Sequence, residues 1–427
     1  MTFTNRHIRS NITRYAHIGL AVLALLAMAT GLATAGGQSS ARSMALGGAY
    51  LGLAKGVDAA RYNPANLGLS GYNSNSLELI GFGVNINNNA LSLGDYNTYT
   101  GAALTESDMA DIMGKIPGDG LRVTADLEAA AMSLSMGSWA FAVTGVGSAN
   151  VNLSKDILDL VLNGNHLGET VSLEGSYSDA VSYVQSSLSY GREIYRLGSR
   201  QVAVGATFKY LRGMAVEQVT ELTGGVTTLT TGFTGSGRMV ARTATGGSGY
   251  GLDLGTSVKL NDSYTAGLSF RNVLSSLSWS GSPEEHGYIF DFDEDASDIL
   301  QDDYVVSEDY SRDIDGFSTS LPTVMTLGVA NTSGNLLWAV DWQQGFREDA
   351  GASSKPRLCA GIEWLGLSTL PLRAGFATGG ARGTHLALGS GVHLGGFRLD
   401  FAVETGTTLV PNSAKGLNLA MSTGFGI

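Results

Sequence analysis

Segments of about ten residues, in which apolar side chains alternate with polar or small ones, recur from residue 76 to the end of the chain. A two-residue period puts alternate side chains on opposite faces of a sheet. In 250–259, Tyr250, Leu252, Leu254, Thr256 and Val258 share one face, and Gly251, Asp253, Gly255, Ser257 and Lys259 share the other. The pattern repeats after the Asn261-Asp262 turn, where Tyr264, Ala266, Leu268 and Phe270 oppose Thr265, Gly267, Ser269 and Arg271. It returns in 336–343, in 397–404 and in the last segment, with Leu417, Leu419, Met421, Phe425 and Ile427 on one face. A soluble sandwich would show its polar face to bulk water. A barrel in lipid shows its apolar face outward and keeps its polar face in the lumen.

Two features favour the barrel. The apolar face persists along nearly every segment, and the connections alternate in length. Fourteen segments read as strands, beginning near 76–85, 127–137 and 139–149 and ending near 397–405 and 416–427. Twelve or sixteen strands fit the same pattern. Short connections include Ser138, Asn261-Asp262, 332–335 and Gly395-Gly396; long ones are 86–126, 150–181, 214–247 and 276–321. Short turns on one rim and long loops on the other are the habit of outer-membrane barrels. Helical spacing of Met, Ile, Leu and Val within two of these loops, 106–115 and 155–162, predicts short helices that cover the mouth.

Composition agrees. The 427 residues include 59 Gly, 7 Pro and one Cys, and only 15% are charged. Average Gly usage is about 7%, roughly half of that here. Cys359 alone excludes an internal disulfide and a cysteine-based zinc site. Arg6, Arg9 and Arg14 precede an apolar stretch from Ile18 to Ala29 and a small-x-small site at Ala33-Thr34-Ala35. That order reads as a secretory signal peptide over 1–35, cleaved before Gly36. Cleavage would leave 23 basic against 38 acidic residues. Such a balance offers no footprint for nucleic acid. No other run approaches the 20 or so apolar residues of a transmembrane helix.

Residues 41–69 do not alternate. Gly47-Gly48 opens a small-residue stretch suited to close backbone approach. Asn63-Pro64-Ala65 is a turn signature, because Pro fixes its own φ and holds Asn63 extended. The expected division is therefore a signal peptide (1–35), an N-terminal hatch (36–75) and an outer-membrane barrel (76–427).

The residues Arg42, Ala45, Gly47-Gly48-Ala49-Tyr50, Asp58-Ala59 and Tyr62-Asn63-Pro64-Ala65 form a pattern that resembles the FadL-like outer-membrane superfamily, most closely its PorV/PorQ-like branch. Arg271-Asn272-Val273-Leu274 and Leu370-Pro371-Leu372-Arg373-Ala374-Gly375 are weaker signs of the same branch. The resemblance implies an all-β fold: a single antiparallel transmembrane barrel of about fourteen strands, with an N-terminal hatch inside the lumen. It places Gly47, Gly48, Asn63, Pro64 and Ala65 in that hatch, as a rigid seat or as a moving gate. It implies a plugged channel for small hydrophobic molecules, with an apolar pocket beneath the loops and a lateral or axial exit. The alternatives are a PorV-like barrel that handles cargo of a type IX secretion system, and a structural barrel without transport. The implied partners are outer-membrane lipid, a hydrophobic small molecule and secreted cargo proteins.

Chemistry-bearing clusters are few. The stretch 284–315 holds thirteen carboxylates. Asp291, Asp293 and Asp295 alternate within it, a pattern that a hard cation such as Ca²⁺ could use weakly. An EF-hand would need Gly and Glu where Ala296 and Asp302 stand, so a solvated loop fits better. His385 and His393 share a strand face but lie roughly 26 Å apart, too far for one metal. The inward charges Lys209, Asp253, Lys259, Arg271, Asp341, Glu363, Arg373, Arg398, Asp400 and Glu404 are mixed in sign, which predicts pairing with one another or with luminal water and fixing of the hatch; a selective ion path is the alternative. Nucleophile-elbow, P-loop, dinucleotide and zincin motifs do not occur, and neither an enzyme nor a cofactor is expected.

Overall fold

The computed structural model describes residues 40–426, apart from 165, 231, 293–304, 348–351, 407 and 409. The expected signal peptide, residues 36–39 of the expected hatch, Asp293 and Asp295 lie outside the described residues.

Fourteen strands close an antiparallel wall: β1 (Ser76–Asn88), β2 (Leu121–Met136), β3 (Trp139–Leu153), β5 (Tyr177–Leu197), β6 (Arg200–Leu229), β7 (Gly232–Lys259), β8 (Tyr264–Phe292), β11 (Val324–Asn331), β12 (Leu336–Gly345), β13 (Arg357–Trp364), β14 (Leu372–Gly379), β15 (His385–Leu394), β16 (Phe397–Gly406) and β17 (Gly416–Gly426). Closure is direct, since β1 pairs with β2 on one side and with β17 on the other. Closing the sheet removes every edge, the one way a sheet satisfies its backbone groups in lipid. Three short strands add to the wall: β4 (Thr170–Ser172) on β6, and β9 (Val305–Asp313) and β10 (Phe317–Thr319) on β8.

The faces follow the alternation. Tyr250 and Leu254 are exposed outside, whereas Asp253 and Ser257 are buried inside. Leu336, Val340, Phe401 and Val403 point outward, and Asp341, Asp400 and Glu404 are buried in the interior. An outer surface covered with exposed Leu, Ile, Val, Phe and Tyr is the surface of a membrane-spanning barrel. Near the short turns the outer face carries aromatic pairs, Trp139 with Tyr190 at 4.5 Å and Phe397 with Phe425 at 5.5 Å between centroids. Such rings form the aromatic girdle at a membrane interface. Among the described residues no helix is long and apolar enough to cross a membrane.

One expectation needs correcting. Residues 214–247 and the first part of 276–321 are not loops. β6 and β7 stay paired from Gln201↔Lys259 to Leu229↔Gly232, and β8 runs on to Phe292. The stretch carries Val216, Val219, Thr220, Val226, Thr227 and Thr228, followed by Thr234, Val240, Thr243 and Thr245. These β-branched residues favour continued pairing, and no Pro interrupts the ladder between β6 and β7. The hairpin therefore extends well beyond the 9–11 or so residues that span a membrane.

Both predicted loop helices form, as α4 (Glu106–Lys115) and α5 (Lys155–Asn163). A further loop helix, α3 (Leu93–Tyr99), was not anticipated. Its signal was present: Ser92 and Asp95 make a capping box, as Thr105 and Asp108 do for α4. Ile112 and Ile116 are buried with Ala90, and Leu158 and Leu162 of α5 pack against them.

Candidate functional site

The N-terminal segment lies inside the wall. α1 (Ala41–Ala45), α2 (Val57–Tyr62) and a 3₁₀ turn (Pro64–Gly68) carry side chains that are mostly buried, with Arg42, Asp58, Arg61 and Tyr62 half-buried. Met44, Leu46, Leu51, Leu53, Leu67 and Leu69 are each at most 2% exposed. Glycines on the inner wall make this fit. A Cβ on Gly375 would overlap the Gly47 amide, one on Gly205 the Pro64 carbonyl, and one on Gly361 the backbone of Leu46. Gly47 itself sits at φ +64° with its α-carbon facing Phe376, where a Cβ would come within 2.8 Å of the Phe376 backbone. Small wall residues thus set the bore, and the segment fills it beside the short turns.

Asn63, Pro64 and Ala65 stand at the centre of this seat. The Asn63 amide donates to the Thr256 carbonyl at 3.0 Å and to Ser257 Oγ at 2.9 Å, while its Oδ1 accepts the Ala65 N–H at 3.1 Å. Pro64 begins the 3₁₀ turn, where its missing N–H costs nothing. Three partners went unrecognised in the sequence. Asn66 donates to the carbonyls of Leu51 and Ala54, each at 2.9 Å, and accepts from Ser257 Oγ. Tyr72 donates to the Gly52 carbonyl at 2.9 Å. Arg61 pairs with Glu78 and donates to Ser133 Oγ at 3.0 Å.

Several of the inward charges of the wall pair. Glu363 takes Arg42 of α1 at 2.5 Å and Arg373 at 2.7 Å; Arg373 also reaches Asp400 at 2.7 Å, and Asp400 accepts from His393 at 3.0 Å. Lys209 meets Asp253 at 2.7 Å. Asp341 Oδ2 accepts two backbone N–H groups of the segment, Tyr50 at 2.7 Å and Leu51 at 2.8 Å. The Tyr50 hydroxyl donates to Asp58 at 2.7 Å, and burial holds that phenol protonated by raising its pKa. His385 and His393 serve separate partners, the Arg382 carbonyl and Asp400.

Above the segment, toward the loop rim, lies a cavity of about 600 Å³. Leu51, Ala60, Arg61 and Tyr62 form its floor. Its wall is mostly Ser, Thr, Asn, Gln and charged side chains, including Arg122, Asp126, Lys209, Arg242, Arg271, Arg357 and Arg382. The apolar pocket expected beneath the loops is therefore not what fills this space. The alternation explains it: the same period that turns Leu and Phe to lipid turns polar residues inward.

Of the acidic trio, Asp291 lies at the far end of β8, its backbone opposite Val306. An unanticipated trio, Asp159 on α5 with the exposed His166 and Glu169, gathers its ligand atoms within 4.8 Å of one another.

Comparison with known proteins adds the following. Residues 72–245 match a family of unknown function, DUF5723, which is less than half of the chain. No curated protein matches. Solved structures with a similar fold include the toluene transporter TbuX of Ralstonia pickettii, at 15% identity, TM-score 0.51, covering 91% of this chain and 98% of that one. The Pseudomonas putida toluene transporter TodX is similar at 13% identity, TM-score 0.51, with 90% and 97% covered. A Pseudomonas aeruginosa FadL homologue follows at 12% identity, TM-score 0.51, with 92% and 99% covered. At such identities the likeness is one of fold.

Proposed function

We propose that the protein is a plugged outer-membrane channel for small hydrophobic molecules, delivered by a leader cleaved before Gly36. The observation that carries this reading is the segment from Ser40 to Tyr72, acting as a hatch: it fills the short-turn half of a closed barrel and is held by discrete polar anchors. The hydrophobic class is supported by the fold shared with transporters of toluene. It is supported too by the apolar cluster between α4 and α5, where an apolar solute would first partition.

The polar cavity argues against a straight central path for such a solute. A lateral exit suits the wall better. The ladder between β1 and β17 slips at Glu78/Ile80, and that between β2 and β3 slips at Ala131/Leu134. Met132 there adopts φ +46° and points outward at 65% exposure. Ser133 beside it touches Arg61 of the hatch. Movement of Arg61 would thus be felt where the wall is irregular.

The test is uptake of labelled toluene by Gram-negative cells that make the protein, compared with cells that do not. Protein-dependent uptake, increased when the hatch is loosened by Asp341→Ala, is expected. Correctly inserted protein with no effect on uptake would refute the channel reading. Co-purification of a secreted protein on the long loops would then favour the cargo-handling alternative.

A further inference from the structure

We propose that the luminal cavity is a binding site for a small hydrophilic oxyanion, centred on Arg357 and Arg382. The cavity is lined by nine Arg and Lys side chains against four carboxylates, in a chain whose net charge is −12. Asp253 meets Lys209, Asp341 takes the amides of Tyr50 and Leu51, and Asp126 accepts from Ser148. The lining of the cavity thus carries an excess of positive charge.

Arg357 is the decisive residue. It opens β13, lines the cavity and is only 8% exposed. Its Nε and Nη2 have no hydrogen-bond partner among the described residues. The nearest carboxylate is Glu404, whose Oε2 stands 3.8 Å from Nη2, too far for a hydrogen bond. Glu404 is also shared. Arg382 Nη1 and His385 Nδ1 each approach its Oε1 at 3.6 Å, and Asn418 donates to that oxygen at 2.7 Å. Asp126, the carboxylate facing from β2, accepts from Ser148 at 3.0 Å. Across the lumen Arg122 also leaves its Nε unpaired.

A buried guanidinium with open donors calls for an acceptor. Its planar fork fits two oxygens of one carboxylate or phosphate. Arg357 and Arg382 share one carboxylate, so an oxyanion between them would supply what Glu404 cannot. The cavity has room for more than a single ion, which suits a small solute bearing such a group. This ligand class differs from the apolar solutes of the proposed channel, so the two readings stand or fall separately.

Equilibrium dialysis tests the site with the whole protein in detergent, in chloride buffer of low ionic strength. The probes are radiolabelled inorganic phosphate and radiolabelled citrate. Saturable binding of at least one is expected, about tenfold or more weaker in Arg357→Met and Arg382→Met and partly restored in Arg357→Lys. Binding of phosphate alone would identify phosphate chemistry, and binding of citrate alone carboxylate chemistry. Arg196→Gln, at an exposed pair with Glu193, serves as the neutral control. Should Arg357→Met fail to show the heat-modifiable mobility of a folded barrel, Arg122→Met takes its place. Absence of saturable binding of either anion at millimolar concentration, or equal binding by the folded variants, overturns the proposal. The readout needs no transport, so a failed uptake experiment leaves it untouched.

Discussion

Asp341→Ala is the sharpest test of how the hatch is held. One carboxylate oxygen of Asp341 accepts the amides of both Tyr50 and Leu51. Removing it leaves two buried N–H groups without their acceptor. An unsatisfied buried donor costs about 1–3 kcal/mol. Asp341 borders the cavity, so water can replace it in part, and the lower end applies. The expected loss is about 2–3 kcal/mol of local stability, a rise of roughly 30- to 150-fold in the population of the open segment. Amide hydrogen exchange read by mass spectrometry measures this directly. Peptides covering 49–54 should exchange faster by that factor, whereas 63–68, held by Asn63 on Ser257, should change less than about threefold. Unchanged protection of 49–54 in a folded variant would refute the anchoring argument. An equal rise over the whole of 41–68 would refute its locality.

Other outcomes follow from the same geometry. Glu363→Ala leaves Arg42 and the fully buried Arg373 short of a carboxylate, so urea unfolding in detergent should show about 3–5 kcal/mol of lost stability. Gly47→Ala combines a left-handed φ with contact on the Phe376 backbone, and should lower stability by about 1–2 kcal/mol or more, read as a lower Tm. Asp95, in the first turn of α3 and paired with Lys115 of α4, would be pushed up by burial, but hydrogen bonds from Lys115 and Ser92 outweigh this and hold it at about 2. A depressed carboxylate stabilises above its unfolded pKa, so protease resistance of the loop should hold near neutrality and fall as pH drops from about 4 to about 2. Mass spectrometry of the membrane-extracted protein should give an N-terminus near Gly36 rather than Met1.

The wall was legible because its code is short-range. One face meets lipid and the other does not, so period 2 survives in every strand and fixes both element type and facing. Loop lengths near 230 were misread because nothing local distinguishes a strand in lipid from its continuation above it. Thr and Val suit both. The pairing of Glu363 with Arg42 and Arg373 could be anticipated as a class, since mixed inward charges must meet. The particular partners could not, because Arg42 and Glu363 are 321 positions apart. The glycines that seat the hatch were visible only as an excess; which of them face Gly47 or Pro64 depends on strand register. Asn66 carried no signal beyond its neighbour Asn63, although it holds two carbonyls.

Expulsion of the whole hatch is too costly to be the route of passage. Six fully buried Leu and Met side chains, at about 1.5–3 kcal/mol each, together with the charged hydrogen bonds on Glu363, Glu78 and Asp341, exceed about 15 kcal/mol. That corresponds to a population on the order of 10⁻¹¹, effectively never sampled. The hatch is divided, however. Residues 41–54 rest mainly on the arc from β11 to β17, and 57–69 rest on β1, β2, β3, β5, β6 and β7. Between them Lys55 is exposed and Gly56 takes φ +57°, a joint where few contacts cross. The contacts that bridge the halves include the bonds of Asn66 to Leu51 and Ala54, of Tyr50 to Asp58 and of Tyr72 to Gly52, and the edge-to-face rings of Tyr50 and Tyr62. Loss of these neutral and single charged bonds costs only a few kcal/mol. Opening should therefore part the halves and leave each on its own arc. Asn66→Ala should accelerate exchange of 50–58 and increase solute uptake, with global unfolding little changed. Uniform exchange of 41–68 in the unaltered protein would show instead that the hatch moves as one body.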